Sequence, residues 1–474
     1  MKSQWQTLLW LAKPLFALLL GIPFLATSCG GGGSAPMPVQ LKSVSVSIMP
    51  LTATIGEGRT LSFVATVTGA ADTTVSWTVQ EGGTGGSVTA SGGYTAPGSP
   101  GTYHVIATSI ADPTATASAV VKVEAPSGAF TLVGDMTAAR AQHTATLLGS
   151  GKVLIAGGSG QGGLPGPPLG GAELYDPSTR TFTPAGSMIT PRYYHSATLL
   201  ADGRVLLAGG TQNVNVGASV FTAEIYDPSA GVFAPTGNLN AGAGSVFAFT
   251  GPVTALLPDG RVFVAGANNP EVFDPQSGTF TLTGPYADPG PILVSTVTLL
   301  TNGNVLITGC SKACSAGVTE IFNPQSGTLS ATGVMPGGSW YDESTATSLG
   351  DGRILFLSSD EDADPAGAEV YDATAGTFAA IGYANDPHEF APATRLTDGT
   401  VLLTGGQLIG GNGSTAAELF LPPSAMFQLA GSMNVGRHSH TATLLSDGTV
   451  LVTGGFSGWP DPTNSSEIYT PTSK

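Results

Sequence analysis

The chain has 474 residues, of which 67 are glycine, 34 are proline and only 10% are charged. Its formal net charge of −16 argues against recognising nucleic acid or an anionic membrane surface through charge. No sustained helical period occurs anywhere in it, so the elements to be read are short strands, turns and a leader.

Residues 1–28 read as a targeting segment, with Lys2 and Lys13 flanking or interrupting a hydrophobic stretch that ends LLLGIPFLATSC. Ala26-Thr27-Ser28-Cys29 resembles the end of a bacterial lipoprotein signal, which implies lipidation at Cys29 and a diacylated mature N-terminus. The leucine, Leu25, sits one place earlier than in that pattern. An ordinary cleaved signal, giving a secreted product, and an uncleaved anchor are the alternatives. Residues 29–40 are then a glycine-rich tether. Gly30 follows the cysteine where lipoproteins retained at the inner membrane carry aspartate, so the resemblance implies the outer membrane or cell surface of a bacterial envelope.

Residues 41–125 alternate apolar and polar residues in about seven short runs split by Gly/Pro turns, among them VSVSIMP, VSWTVQEGG and TASAVVKVEA. That spacing predicts an immunoglobulin-like β-sandwich with Trp77 in its core. GGYTAPGSPGTYHVIATS resembles bacterial Ig-like domains, whose usual role is a stalk or spacer.

Residues 126–474 are organised by repetition. HTATLLGSGKVLIAGG starts at His143, HSATLLADGRVLLAGG at His195 and HTATLLSDGTVLVTGG at His440, with worn copies between. The turn glycines are Gly151, Gly203, Gly260, Gly303, Gly352, Gly399 and Gly448. A second phrase of the AELYDP type carries Glu173, Glu224, Glu271, Glu320, Glu369, Glu418 and Glu467. Both markers recur with a period near 50 residues, which predicts a repeat architecture. Each copy reads as four strands, the first two joined by an Asp-Gly or Asn-Gly hairpin. The second strand is a continuous aliphatic run, as expected when both its faces are buried. Such sheets bury both faces only by stacking radially, so the fold class is all-β, a seven-bladed β-propeller preceded by the sandwich. The last copy ends after its third strand (SSEIYTP, 465–471), and AFTLVGDM, residues 129–136, is positioned to supply the missing fourth.

The double glycine after the second strand and Tyr-Asp-Pro after the third resemble the kelch repeat, in the form found in galactose-oxidase-like and many bacterial kelch proteins. The likeness covers roughly residues 129–471. The fourth-strand aromatic is phenylalanine rather than tryptophan, and the double glycine is absent from the third to fifth copies.

The seven glutamates read as structural acceptors, one per blade. His143, His195 and His440, with Arg140, Arg192 and Arg437 three residues before them, read as fold residues of the better-kept copies. Other copies hold Phe249, Ile292, Tyr341 and His388 at the arginine position, so one face of the ring is chemically uneven. Ligands of kelch propellers commonly bind at the mouth on that face. The candidate partner-binding residues there are Tyr193, Phe247, Tyr286, Trp340, Tyr341, Asp342, His388, Glu389 and Trp459; Glu343 and Tyr383 stand beside them as a further acid and a further aromatic. Aromatic faces beside carboxylates suit sugar rings or basic peptides.

Cys310 and Cys314 share one loop, where a small disulfide is expected in an oxidising compartment. No metal site is assigned: the pair lacks further ligands, and Asp360, Asp362 and Asp364 lack the glycine and final glutamate of a calcium loop. The copper site of galactose-oxidase relatives needs two tyrosines, two histidines and a cysteine cross-linked to one tyrosine, and the chain does not display that set. No cofactor is expected. The sequence therefore leads to a non-catalytic, monomeric, envelope-anchored protein that binds a glycan or protein partner at the propeller mouth. The competing reading is a carbohydrate-active enzyme such as a kelch-type sugar mutarotase.

Overall fold

The computed structural model describes residues 43–162, 166–212, 219–240, 252–266, 269–287, 292–311, 317–333, 345–360 and 363–472. The signal, Cys29 and the tether lie outside them, as do Phe247, Cys314, Trp340, Tyr341, Asp342 and Glu343.

The N-terminal module is built of three small sheets. Ser45–Met49 pairs with Val64–Thr68, and Thr60–Ser62, Gly93–Thr95 and Ser87–Val88 form a second sheet. The largest runs Thr52–Gly56, Thr116–Glu124, Gly101–Ser109, Val75–Val79, and its first pair is parallel. Strict alternation makes these strands: along Thr116–Glu124, Ala119, Val121 and Val123 are buried while Val120 and Lys122 face out. The core gathers Ile48, Phe63, Tyr94, Val105 and Val121, with Trp77 packed against it 6.4 Å from Phe63.

The remainder forms seven four-stranded antiparallel sheets. In blade one the order from the axis outward is Thr144–Leu147, Val153–Ala156, Gly171–Asp176, Thr181–Ser187. Each inner strand touches the inner strands of both neighbours, including Thr144–Leu147 against Thr441–Leu444, so the ring is closed. Closure is covalently discontinuous: Gly128–Leu132, upstream of blade one, pairs antiparallel with Ser466–Pro471 as the outer strand of blade seven. Phe130 stands on Tyr469 there, ring centroids 5.0 Å apart.

The aliphatic second strands explain why the blades stack. In blade one, Val153 and Ile155 belong to the core shared with blade seven, and Leu154 and Ala156 to the core shared with blade two. Blade two repeats the alternation with Val205 and Leu207 on one side and Leu206 and Ala208 on the other. Seven such inter-blade cores are present among the described residues. A polar residue in these strands has no solvent-facing side to occupy.

Candidate functional site

The face of the ring that carries the segments between blades is built on a repeated ion pair. Arg140, Arg192 and Arg437 reach the third-strand glutamates of their own blades, Glu173 at 2.7 Å, Glu224 at 2.7 Å and Glu467 at 2.9 Å, with both partners buried. Each arginine also donates from Nη1 to the carbonyl of the first glycine of the double-glycine turn: Gly157 (2.8 Å), Gly209 (3.0 Å) and Gly454 (2.7 Å). The glutamates accept backbone N–H groups of the linking segment as well, Thr137 on Glu173 and Ile189 and Thr190 on Glu224. The glycines are required by geometry. Gly157 and Gly158 both have left-handed φ (63° and 105°), and a Cβ on Gly157 would meet the Arg192 carbonyl of blade two at 2.6 Å.

Blade six departs from this pattern in a specific way. His388 stands at the arginine position, and its Nδ1 lies 2.7 Å from the Gly405 carbonyl, which takes over the arginine's contact with the turn. Its Nε2 is 3.9 Å from Glu418. Without a guanidinium on it, Glu418 is pushed up to about 8, by burial first and then by the carboxyl of Asp386 hydrogen-bonded beside it.

Immediately before the inner strands, four non-glycine residues hold left-handed backbone: Gln142 (φ 56°), Tyr194 (55°), Phe390 (57°) and Ser439 (53°). Such conformations are costly for ordinary residues and persist where surroundings enforce them. Here the enforcement is a main-chain relay. Ser439 N–H donates to Phe390 O (2.9 Å), Gln142 N–H to Ser439 O (3.0 Å) and Tyr194 N–H to Gln142 O (3.2 Å). The relay crosses three blade boundaries and forms an arc over blades six, seven, one and two at the mouth of the ring. All four side chains are half-buried. Gln142 Nε2 donates to the Tyr194 hydroxyl at 2.6 Å, closing one end of the arc with a polar pair.

At the other end the arc continues upward as aromatic rings. Phe390 and His438 have centroids 5.8 Å apart, His438 and Phe456 5.3 Å, and Phe456 and Trp459 4.8 Å. Paired loops hold this column: His438 bridges Phe456, and Trp459 N–H donates to Gly411 O at 3.0 Å. Phe456 is buried, whereas Trp459 is 49% exposed at the rim. Burial pushes the His438 imidazole down to about 4, so within the column it is a neutral ring.

Several sequence expectations are corrected by this geometry. Tyr193 is fully buried and bridges Thr211, so it braces a loop and offers no surface to a ligand. Tyr286 fills an inter-blade core, and its hydroxyl donates to Gly266 O at 2.7 Å. His388 is a buried fold residue, as described. Glu389 is half-buried at the foot of the column, where its carbonyl accepts Gln407 N–H at 2.8 Å. Of the mouth residues named from the sequence and described, Trp459 and Tyr383 present large exposed aromatic faces, and Trp459 stands at the end of the column. Gln142, Tyr194, Phe390 and Ser439 were missed, because four unlike letters share only a position, two or three residues before the inner strand. Cys310 is buried and disulfide-bonded.

The remaining histidines serve the fold. His143 Nε2 lies 3.1 Å from Thr441 Oγ1, His195 Nε2 3.0 Å from Thr144 Oγ1 and His440 Nε2 2.9 Å from Thr404 Oγ1, each contact crossing to the preceding blade. Burial drives all three imidazoles down, His195 to about 3. Among the described residues no three His, Cys, Asp or Glu side chains converge as metal ligands.

No protein-family model and no curated protein sequence matches the chain. Solved structures do. One is a fungal alcohol oxidase described as having catalytic diversity among the AA5 family, solved in complex with copper. It aligns with a TM-score of 0.57 at 17% identity, covering 73% of this chain and 76% of that one. The likeness shows the fold, a galactose-oxidase-like, kelch-type propeller. It also corrects the expectation of a non-catalytic binding protein: a propeller of the same architecture is an oxidase, and nothing in the sequence assigns this mouth to binding rather than catalysis. The described residues do not fit copper. The adjacent Tyr194 and His195 diverge, the imidazole being spent between blades on Thr144, and Cys310 is occupied in its disulfide.

Proposed function

We propose that the mouth of this propeller receives a small hydroxyl-bearing ring compound, of the monosaccharide or cyclic polyol class, as its substrate or ligand. The observation that carries this reading is the continuity of the aromatic column with the polar end of the arc. Phe390, His438, Phe456 and Trp459 rise from the same main-chain relay that ends in the Gln142–Tyr194 pair. An apolar ring face stacks on aromatic carbon, while hydroxyls exchange hydrogen bonds with an amide and a phenol. The alcohol substrate named for the similar solved structure is of compatible chemistry.

Intrinsic fluorescence tests this directly, since Trp459 is exposed at the rim. Titrating a panel of hexoses and cyclic polyols into the full chain should shift the emission in the parent and not in Trp459→Phe. A panel that leaves the parent emission unchanged sinks the reading. Mass spectrometry of any binder after incubation then separates turnover from simple retention.

We further infer that the chain is exported and lipidated at Cys29, and that residues 43–124 form an Ig-like module. The supports are the small residues before Cys29, the disulfide at Cys310, which suits an oxidising compartment, and the alternating strands around Phe63 and Trp77. Metabolic labelling with a fatty-acid analogue, lost in Cys29→Ser, checks the anchor.

A further inference from the structure

Blade six lacks the arginine that blades one, two and seven carry, yet a guanidinium reaches its linking segment from elsewhere. Arg59, in the N-terminal module, grips Asp386 with both arms: Nη1 donates to Oδ1 at 2.6 Å and Nη2 to Oδ2. Arg59 is itself fixed, its N–H donating to Gly56 O and its carbonyl accepting Ala96 N–H at 2.8 Å. Gly56 packs directly on Leu429 of blade six, where an added Cβ would lie 2.5 Å from the leucine side chain. The module therefore touches this blade at two points, one a bidentate ion pair.

From Asp386 the chain runs straight into the mouth. Asn385 N–H donates to Glu418 at 3.0 Å, His388 holds Gly405 O, and Ala391 N–H returns to His388 O at 3.2 Å. Glu389 O then accepts Gln407 N–H, and Phe390 O accepts Ser439 N–H, the first bond of the relay. Phe390 is also the lowest ring of the aromatic column. The segment that places it has no arginine–glutamate anchor of its own.

We propose that Arg59 is a positioning residue for the mouth: acting through Asp386, it sets the course of residues 385–391 and so the placement of Phe390. The N-terminal module is then more than a spacer, because it supplies, from elsewhere in the same chain, a cation to the linking segment of a blade that has no arginine there. Its consequence for ligand affinity rests on the mouth reading above; its consequence for the segment does not.

The test is amide hydrogen exchange on the full chain, which needs no ligand. Loss of a charge-assisted fork in Arg59→Gln should speed exchange at Ser439, Gln407 and Ala391 by about tenfold. The Gln142 and Tyr194 amides, on the far side of the arc, should keep the parental rate. Asp386→Asn should reproduce the pattern from the other partner, and Arg59→Lys, with one donor arm in place of two, should fall between. Unchanged exchange at the three amides overturns the proposal, as does an equal acceleration of all five, which would report general destabilisation. If the exchange pattern appears while no hexose shifts the fluorescence, the positioning role stands and the mouth reading falls.

Discussion

The amide of Gln142 and the phenol of Tyr194 are joined at 2.6 Å across the boundary between blade one and blade two. Both residues hold left-handed backbone, and the Tyr194 N–H bonds the Gln142 carbonyl as well. Two unlike side chains are thus locked to each other by side chain and main chain at once, on the rim of a closed ring.

That pairing predicts a specific phenotype. Gln142→Ala leaves the relay's main chain intact and removes the donor that orients the phenol. Hexose binding should weaken by about tenfold, the worth of a hydrogen bond or two. The thermal midpoint should stay close to that of the parent. A large stability loss with unchanged affinity would show the pair to be a strut only.

The buried ion pairs predict the opposite profile. Arg437 and Glu467 are both wholly buried, and the glutamate also accepts the Asn434 and Val435 N–H groups. Arg437→Met strands that carboxylate without its guanidinium, at a cost of about 3–5 kcal/mol. Denaturant unfolding measures this. A change below ~1 kcal/mol would contradict the assignment of the pair as the blade's anchor.

How much of this was legible beforehand differs by feature. The repeat phrases, the hairpin turns and the strand missing from the last copy are local letters at fixed spacing, so the propeller follows from them. The glutamates and arginines were each readable as structural residues. Their partnership was not, because Arg140 and Glu173 stand 33 positions apart and meet only when a sheet folds back on itself. The mouth was misread more seriously. Tyr193 and Tyr194 are adjacent, yet a left-handed φ at the second turns its side chain to the rim while the first stays buried. No periodicity in hydrophobicity encodes that turn of the backbone. Arg59 was invisible for a related reason: its partner lies 327 residues away in another module.

Stability should depend on pH from two sides. The folded state holds the Glu418 proton up to about 8, above the ordinary carboxyl value of 4.5, so its contribution is fully present below that ordinary value and is lost as pH rises towards 8. His438 is pushed from 6.5 down to about 4, so its contribution is present above 6.5 and lost as pH falls towards 4. The melting temperature should therefore decline on both sides of mildly acidic pH. Glu418→Gln should flatten the alkaline limb and leave the acid limb; an unchanged alkaline limb would remove Glu418 as its source.

Ring closure rests on one short strand. Phe130 packs tilted against Tyr469 and lies against the core between blades six and seven. Phe130→Ala should cost about 2 kcal/mol, less than a fully buried phenylalanine because it is half-exposed. The lost contacts also loosen the Gly128–Leu132 pairing, so limited proteolysis should cut first near residues 126–133. Primary cleavage elsewhere would mean that the ring is held shut by other contacts.

The most direct test of the mouth as a ligand site is saturation-transfer NMR on the full chain with a mixture of hexoses and cyclic polyols. Transfer to the ring protons of at least one compound is expected, strongly reduced in both Trp459→Ala and Tyr194→Ala. No transfer to any compound, or transfer undiminished in both variants, would contradict the account.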